Sequence, residues 1–375
     1  MRILHLIQRY HPARGGAELH LERISAHLAA AGHQVTVATS DALDFELFWN
    51  PGRRRVGEAA TSHHGVNIRR FPVRHLPLPG LAYPGIRRLL WLMSKIKPLP
   101  ESWLLQLSGY TPWLPDLRRW AAVQEEPFDL VAAMTIVFEP FVAAGYQVAR
   151  RQGIPFACYP LTHLGAGDEP AGDALSRFYT MRHQVGLVAA SDAVIAQTPA
   201  EKSFYVERGV AREKISAVGP GVTPGDVLGG DGARFRAGLG LDGPLVLAIG
   251  AMSADKGAIQ TVEAVRHLWQ AGRDVELVLI GAELAPFKSY VSKLPECDRR
   301  RLHVLGAVDE STKRDALAAA TIFSMPSRTD SFGISYLEAW LAGCPVIGAR
   351  TWGVMDLIEE GQDGLLGPFG DAPAL

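Results

Sequence analysis

Three cysteines in 375 residues, Cys158, Cys297 and Cys344, are too few, too scattered and odd in number for a disulfide framework. Their spacing is not that of a metal site either, so reduced thiols in a cytoplasmic compartment are expected. No apolar stretch reaches the roughly 18 residues that span a bilayer. The longest, around RRLLWLMSKIKP, is broken by Lys95, Lys97 and Pro98. The opening MRILHLIQRYHP holds an apolar run too short for a signal peptide, with His and Arg inside it. A strong net charge is also missing: the formal value is −1, which gives no global field for nucleic acid. Internal repeats and low-complexity tracts are absent, and the turn after the first strand carries neither the GxGxxG nor the Walker pattern. No suitably placed ribose acid follows the first strand, which argues against a dehydrogenase.

What is present is an ordinary globular composition, 47% hydrophobic and 21% charged, long enough for two domains with their own cores. The charge is unevenly spread. From Arg53 to Arg119 there are twelve Lys/Arg against three acids (Glu58, Glu101, Asp116), and the remainder of the chain is correspondingly acidic. The less regular stretch at about 45–125 adds Trp49, Trp91, Trp103, Trp113 and Trp120 among prolines. Rings interleaved with cations suit a membrane interface or an anionic, partly apolar ligand. A solvated basic face over a few core tryptophans fits equally well.

Short apolar runs alternate with helical spacing, the pattern of parallel α/β domains. RILHLI (2–7) reads as a first strand, HPARGG as a loop, AELHLERISAHLAAAGH as an amphipathic helix stopped by Gly32, and VTVAT as the next strand. FDLVAAM, IPFACYP and DAVIAQT read as further strands. Residues 221–243 lie in a Gly-, Pro- and Asp-rich stretch expected to be a linker. A second series follows: PLVLAIG, DVELVLIGA, RLHVLGAV, TIFSMPS and PVIGA. The expected fold is therefore α/β, with two Rossmann-like domains, 1–220 and 244–375, facing a central cleft.

Three stretches carry candidate chemistry. RGGAEL places Gly15 and Gly16 between a strand and a helix N-terminus, where bare amides and the helix dipole attract an anion, although a tight turn also explains them. IGAMSADKG ends a strand at Gly250 and sets Lys256 at the start of a helix, against the dipole. A bound diphosphate resolves that conflict; so does simple solvation of the lysine. PSRTDSFGISYLEAWLAG puts Asp330 or Ser331 at an N-cap position and Ile334, Leu337 and Leu341 on a buried stripe, with Gly343 closing the helix. Asp330 is thus either a cap or a ligand. Glu338, in mid-helix between apolar neighbours, is costly unless it has a partner, and the vicinal hydroxyls of a ribose are one. An anion site and two hydroxyl-binding acids at one sheet edge fit a nucleotide joined to a sugar.

GGAEL, SADKG and the D-x7-E of DSFGISYLE, in this order, resemble the retaining GT-B-fold glycosyltransferases, the large family of glycogen and sucrose synthases and bacterial mannosyl- and glucosyltransferases. GHQVTVATS, IPFACYPLTH, SDAVIAQT, KISAVGPGV and GQDGLLGP extend the likeness from Met1 to about Phe369. The resemblance implies that Gly15 and Gly16 meet the donor phosphate or the acceptor, and that Lys256 binds the diphosphate. It implies that Asp330 holds sugar hydroxyls and Glu338 the ribose. The Phe332-Gly333-Ile334 backbone would touch the donor, and His163 would lie beside the reacting carbon. His163, Lys256 and Asp330 are then the expected catalytic residues. No metal or other cofactor is required, because the nucleotide sugar is a co-substrate.

Three departures stand out. Ala251 replaces the usual arginine after Gly250, so weaker donor binding or a substitute arginine is expected. Asp330 stands where relatives carry Glu. The chain stops at GPFGDAPAL, where relatives continue, so C-terminal helices are expected to be missing. The expected partners are a nucleotide sugar and a sugar or lipid-linked acceptor at the inner membrane face, with no nucleic acid. The expected role is surface polysaccharide or glycolipid synthesis. Two other readings stay open: a nucleotide-sugar epimerase, or an inactive binding protein of the same fold.

Overall fold

The alternating apolar and amphipathic segments become two doubly wound units in the computed structural model, which describes all 375 residues. The first unit comprises Met1–Thr162 and Ala174–Val218, the second His163–Asp173 and Gly219–Leu375.

The first unit is built on β1 (Arg2–Leu6), β2 (Gln34–Ser40), β3 (Ala60–His63), β4 (Val66–Phe71), β5 (Leu130–Met134), β6 (Phe156–Tyr159), β7 (Ala193–Ala196) and β8 (Ile215–Ala217). Their order is β3-β4-β2-β1-β5-β6-β7-β8, and only β3 runs antiparallel to its neighbour. β1 pairs in parallel with β2 and β5, so that Ile3 lies opposite both Val35 and Leu130. Ile3, Val35, Val37, Val66 and Ile68 form a core with Leu21 of the Gly16–Ala30 helix.

The second unit repeats the scheme with β9 (Leu245–Ile249), β10 (Glu276–Ile280), β11 (Leu302–Gly306), β12 (Ile322–Ser324), β13 (Val346–Ala349) and β14 (Gly364–Gly367), all parallel, in the order β11-β10-β9-β12-β13-β14. Leu245, Leu247, Val278 and Ile280 pack on one side of this sheet, and Val246, Ala248, Leu277 and Leu279 on the other. Both faces are covered, which is why its strands read as continuous apolar runs rather than as alternation. In each sheet the strand order reverses beside the first strand, at β1/β5 and at β9/β12. Open α/β sheets bind ligands beyond the carboxyl ends of strands at such a switch point.

Several expectations are corrected. The stretch at 45–125 is not an irregular insert. Its β3–β4 hairpin extends the first sheet, and helices Pro79–Ser94, Glu101–Ser108 and Pro115–Val123 follow. The Pro79–Ser94 helix is pinned by Arg87, whose guanidinium binds buried Glu139 at 2.7 Å and the Phe178 carbonyl at 2.7 Å. The residues expected as a linker form helices Pro224–Val227 and Gly232–Leu239, and Val227 and Phe235 enter the second core. Charged residues disguise that amphipathic face in the sequence. Segment 163–173 leaves the first unit for the second, where Trp352 holds it by donating from its amide to the Gly165 carbonyl and from Nε1 to the Gly167 carbonyl.

Candidate functional site

At the second switch point, the loop after β9 runs from Gly250 to Gly257 and enters the Ala258–Gln270 helix. The loop after β12 runs to Gly333 and enters the Ile334–Leu341 helix. The two loops are stitched together. The Arg328 amide donates to the Asp255 carbonyl (3.0 Å), and the Arg328 guanidinium binds the Asp255 carboxylate at 2.7 Å. Gly257 has φ +76°, and a Cβ there would meet the Pro326 carbonyl oxygen at 2.3 Å, so the close approach needs glycine.

This stitching brings the predicted residues together. Lys256 Nζ lies 2.5 Å from Asp330 Oδ1. Burial alone pushes the Asp330 carboxyl up, but the Lys256 ammonium outweighs it and holds the group below its ordinary range. Its other oxygen, Oδ2, is buried without a hydrogen-bond partner, which in a carboxylate is an unused acceptor. The half-buried His163 ring feels both charges. Its pKa falls to about 4, first through burial and then through Lys256, so it is neutral at pH 7. Gly250 and Ala251 border a cavity of about 10 Å³ beside Lys256, room for about one water.

Asp330 is not the N-cap. That position belongs to Gly333, at φ +98°, where no side chain caps the helix and a Cβ would strike the Tyr336 ring at 2.5 Å. Asp330 is thereby left free to pair with Lys256. The buried face of the helix is Tyr336, Glu338 and Ala339, whereas Ile334, Leu337 and Leu341 are half-buried. Glu338 is 3% exposed and has a partner that the sequence reading missed: Lys313 Nζ, 2.7 Å from its Oε1, from the Glu310–Ala319 helix. The carboxylate is therefore charge-compensated within the protein. Phe332 is half-buried, close to Gly333 and Ile334 at the helix start.

Arg328 was also missed. It is half-buried, binds Asp255, the residue before Lys256, and lies over the Phe369 ring (5.0 Å). A signal was available, since it is the one arginine in the loop that carries Asp330.

Gly15 and Gly16 belong to the first unit, at its own switch point. Gly15 is the N-cap of the Gly16–Ala30 helix, in extended conformation. A Cβ on Gly15 would meet Glu18 Oε2 at 2.3 Å, whereas one on Gly16 would meet nothing. Glu18 is buried and accepts from Arg9 Nε (2.9 Å) and Gln8 Nε2 (3.2 Å). The Thr135 hydroxyl, after β5, donates to Gln8 Oε1 and closes the gap between the two strand ends.

Two doubly wound sheets, the second carrying a lysine and an acid between paired helix N-termini, define a two-domain α/β protein with parallel sheets. The comparisons take this further. The family model described as "Glycosyl transferase 4-like domain" matches residues 15–221, more than half of the chain, and that described as "Glycosyl transferases group 1" matches 243–375. The chain belongs to the GT-B glycosyltransferases.

The D-inositol 3-phosphate glycosyltransferase of Xylanimonas cellulosilytica is 30% identical over 244 residues, 60% of this chain and 56% of the relative. The protein of the same name from Acidothermus cellulolyticus is 27% identical over 312 residues, 78% of this chain and 68% of the relative. The chain thus spans about half to two thirds of the length of the curated relatives it matches. Among solved structures, Anabaena HepE in complex with UDP and glucose superposes with a TM-score of 0.67 at 20% identity, covering 100% of this chain and 87% of that one. Sucrose-phosphate synthase from Thermosynechococcus elongatus gives 0.71 at 19%, with the same coverages. At these identities the likeness is one of fold. No helix is long and apolar enough to cross a membrane.

Proposed function

We propose that the protein transfers a sugar from a nucleoside diphosphate donor to an acceptor hydroxyl, with retention of configuration and without a metal at the diphosphate. The observation that carries this reading is the buried, unpartnered Oδ2 of Asp330 beside Lys256. One site then offers an acceptor for a sugar hydroxyl and a cation for a phosphate. The complexes of Anabaena HepE with UDP and with UDP-glucose support a nucleotide-sugar donor.

In this reading the leaving diphosphate sits on Lys256 and the amides of the Ala258–Gln270 helix. Arg328 replaces the cation lost at Ala251. Glu338, with one oxygen held by Lys313, takes the ribose hydroxyls, and the Phe332-Gly333-Ile334 backbone lies along the donor. Neutral His163 hydrogen-bonds beside the reacting carbon. The acceptor attacks the same face that the diphosphate leaves, and its proton passes to the diphosphate. Gly15 and Gly16 offer helix amides to a phosphate or to the acceptor.

Calorimetry with UDP, GDP and ADP, followed by a nucleotide-sugar panel read by hydrolysis, tests the donor. Failure to bind any nucleoside diphosphate overturns the reading, and an altered nucleotide sugar released without acceptor marks an epimerase instead.

For the acceptor, the reading is a lipid-linked or polysaccharide hydroxyl at the inner membrane face, in surface polysaccharide or glycolipid synthesis. Its support is one face of the Pro79–Ser94 helix and its flanks, where Leu81, Leu89, Leu92 and Ile96 are exposed among Arg88, Lys95 and Lys97. If vesicles containing anionic lipid fail to sediment the protein, the membrane part falls. The names of the curated relatives make a phosphorylated cyclitol the competing acceptor. An acceptor panel containing both separates them.

A further inference from the structure

Within the first unit, three side chains from three elements converge away from the residues discussed so far. His11 lies in the loop after β1, Glu22 on the Gly16–Ala30 helix, and His63 at the end of β3. One ring nitrogen from each histidine and a carboxylate oxygen of Glu22 all lie within 4.8 Å of one another. Glu22 Oε1 is 3.0 Å from His63 Nε2 and 4.0 Å from His11 Nδ1. The two imidazoles are stacked, with centroids 3.4 Å apart and planes 11° from parallel.

A hydrogen-bonded cluster explains only half of this. Glu22 needs one histidine, and His63 supplies it. The second ring nitrogen is beyond hydrogen-bond reach of the carboxylate, yet its ring is pressed against the first. Two histidines and one carboxylate are a recurrent zinc ligand set, with bonds of about 2.0–2.2 Å, which places ligand atoms ~3.4 Å apart along a tetrahedral edge. The two measured separations from Glu22 bracket that edge. We propose that His11, Glu22 and His63 bind a zinc-class divalent cation, with the fourth position open to solvent on the half-exposed His11 side.

The surroundings say which cation. Imidazole ligands favour zinc and its transition-metal neighbours over magnesium or calcium. The Arg70 guanidinium is directed to protein oxygens, the His11 carbonyl (2.7 Å) and the Thr61 hydroxyl (2.8 Å), rather than to Glu22. An ion shared by two imidazoles lies in the plane of each, so its capture fans the stacked rings apart. It also ties the loop that leads to Gly15 onto the helix and the β3–β4 hairpin, and it stabilises the fold by mass action.

The test uses untagged, metal-stripped protein and the metals alone. One Zn²⁺ per chain is expected to raise the melting temperature, with Mg²⁺ giving no shift. Co²⁺ is expected to give a visible tetrahedral spectrum that Zn²⁺ abolishes. His11→Ala and His63→Ala are each expected to weaken Zn²⁺ binding at least about tenfold, a loss seen even for residues one shell further out. Glu22→Gln, which keeps the side-chain shape, is the second variant should a histidine variant fail to fold. His64→Ala, altering the ring next to His63, is expected to keep full affinity. No Zn²⁺-dependent shift in the wild type overturns the site, as does unchanged binding in the His11→Ala/His63→Ala double variant.

Discussion

The two switch points are built alike and finished differently. Each sets a strand end, a glycine-started helix and a polar group from the strand across the reversal. At the first, the acid within the first helical turn, Glu18, is neutralised by Arg9, and Gln8 joins Thr135. Glu18, Arg9, Gln8 and Thr135 all find partners within the chain, and the acid suits the helix dipole. At the second, the residue before the helix is Lys256, the wrong sign for the dipole, and its counter-ion Asp330 keeps one buried oxygen unused. At the first the charged side chains are matched among themselves; at the second an ion pair keeps one acceptor unmatched. A fold repeated twice does not repeat its chemistry, and the difference lies in which hydrogen bonds are left unmade.

That contrast can be broken at its strongest point. Lys256→Met is expected to cut kcat/KM with the nucleotide sugar ~10²–10³-fold, the usual loss for one transition-state charge contact, and to lower stability as well, because Asp330 loses its counter-ion. Glu18→Ala is expected to affect stability alone. It strands Arg9 beside Gln8 and costs about 3 kcal/mol in chemical denaturation, with nucleoside diphosphate affinity unchanged. Equal effects of both changes on both readouts would erase the distinction.

A finer division within the second site comes next. Asp330→Asn is expected to spare binding of the bare nucleoside diphosphate and to weaken the sugar-bearing donor by about 1.5–3 kcal/mol, the range for a hydrogen bond to a charged group. Glu338→Ala is expected to weaken both, and calorimetry with each ligand compares them. Acid sensitivity is expected to be shared. His5 and His20 in the first unit and His163 in the second are all lowered to about 4, chiefly by burial. The unfolded chain takes up these protons near pH 6.5 and the folded chain near 4. Their contribution is therefore whole above about 6.5 and declines as the pH falls to about 4, which melting curves across that window measure. The smallest effect is expected at Gly16→Ala, where a Cβ meets open space, within about 0.5 kcal/mol of the parent.

The sequence made the doubled α/β scheme readable because buried parallel strands must be apolar on both faces, and VLAI and LVLI cannot easily be anything else. It also made Lys256 visible, as a charge on the wrong end of a helix. The linker reading failed because Gly, Pro and Asp mark caps and turns as readily as they mark flexible chain; Asp231 in fact caps the Gly232–Leu239 helix. The N-cap reading of Asp330 failed because a positive φ at Gly333 starts the helix three residues later. Lys313 and Glu338 are 25 positions apart, and His11 and His63 are 52 apart. Pairings at such distances leave no local periodicity, so only the fold brings them into view.

The strand order of the second sheet also has a temporal side. β9 and β12 are hydrogen-bonded neighbours, although more than 70 residues separate them. Contacts so distant along the chain form slowly, since a long loop must close before they give anything back. During synthesis Lys256 emerges well before Asp330, and until β12 docks the lysine has neither its acid nor the Pro326 backbone beneath Gly257. The proposed donor site is then among the last parts of the second unit to assemble, and nucleotide binding during refolding is expected to report completion of the sheet rather than its beginning.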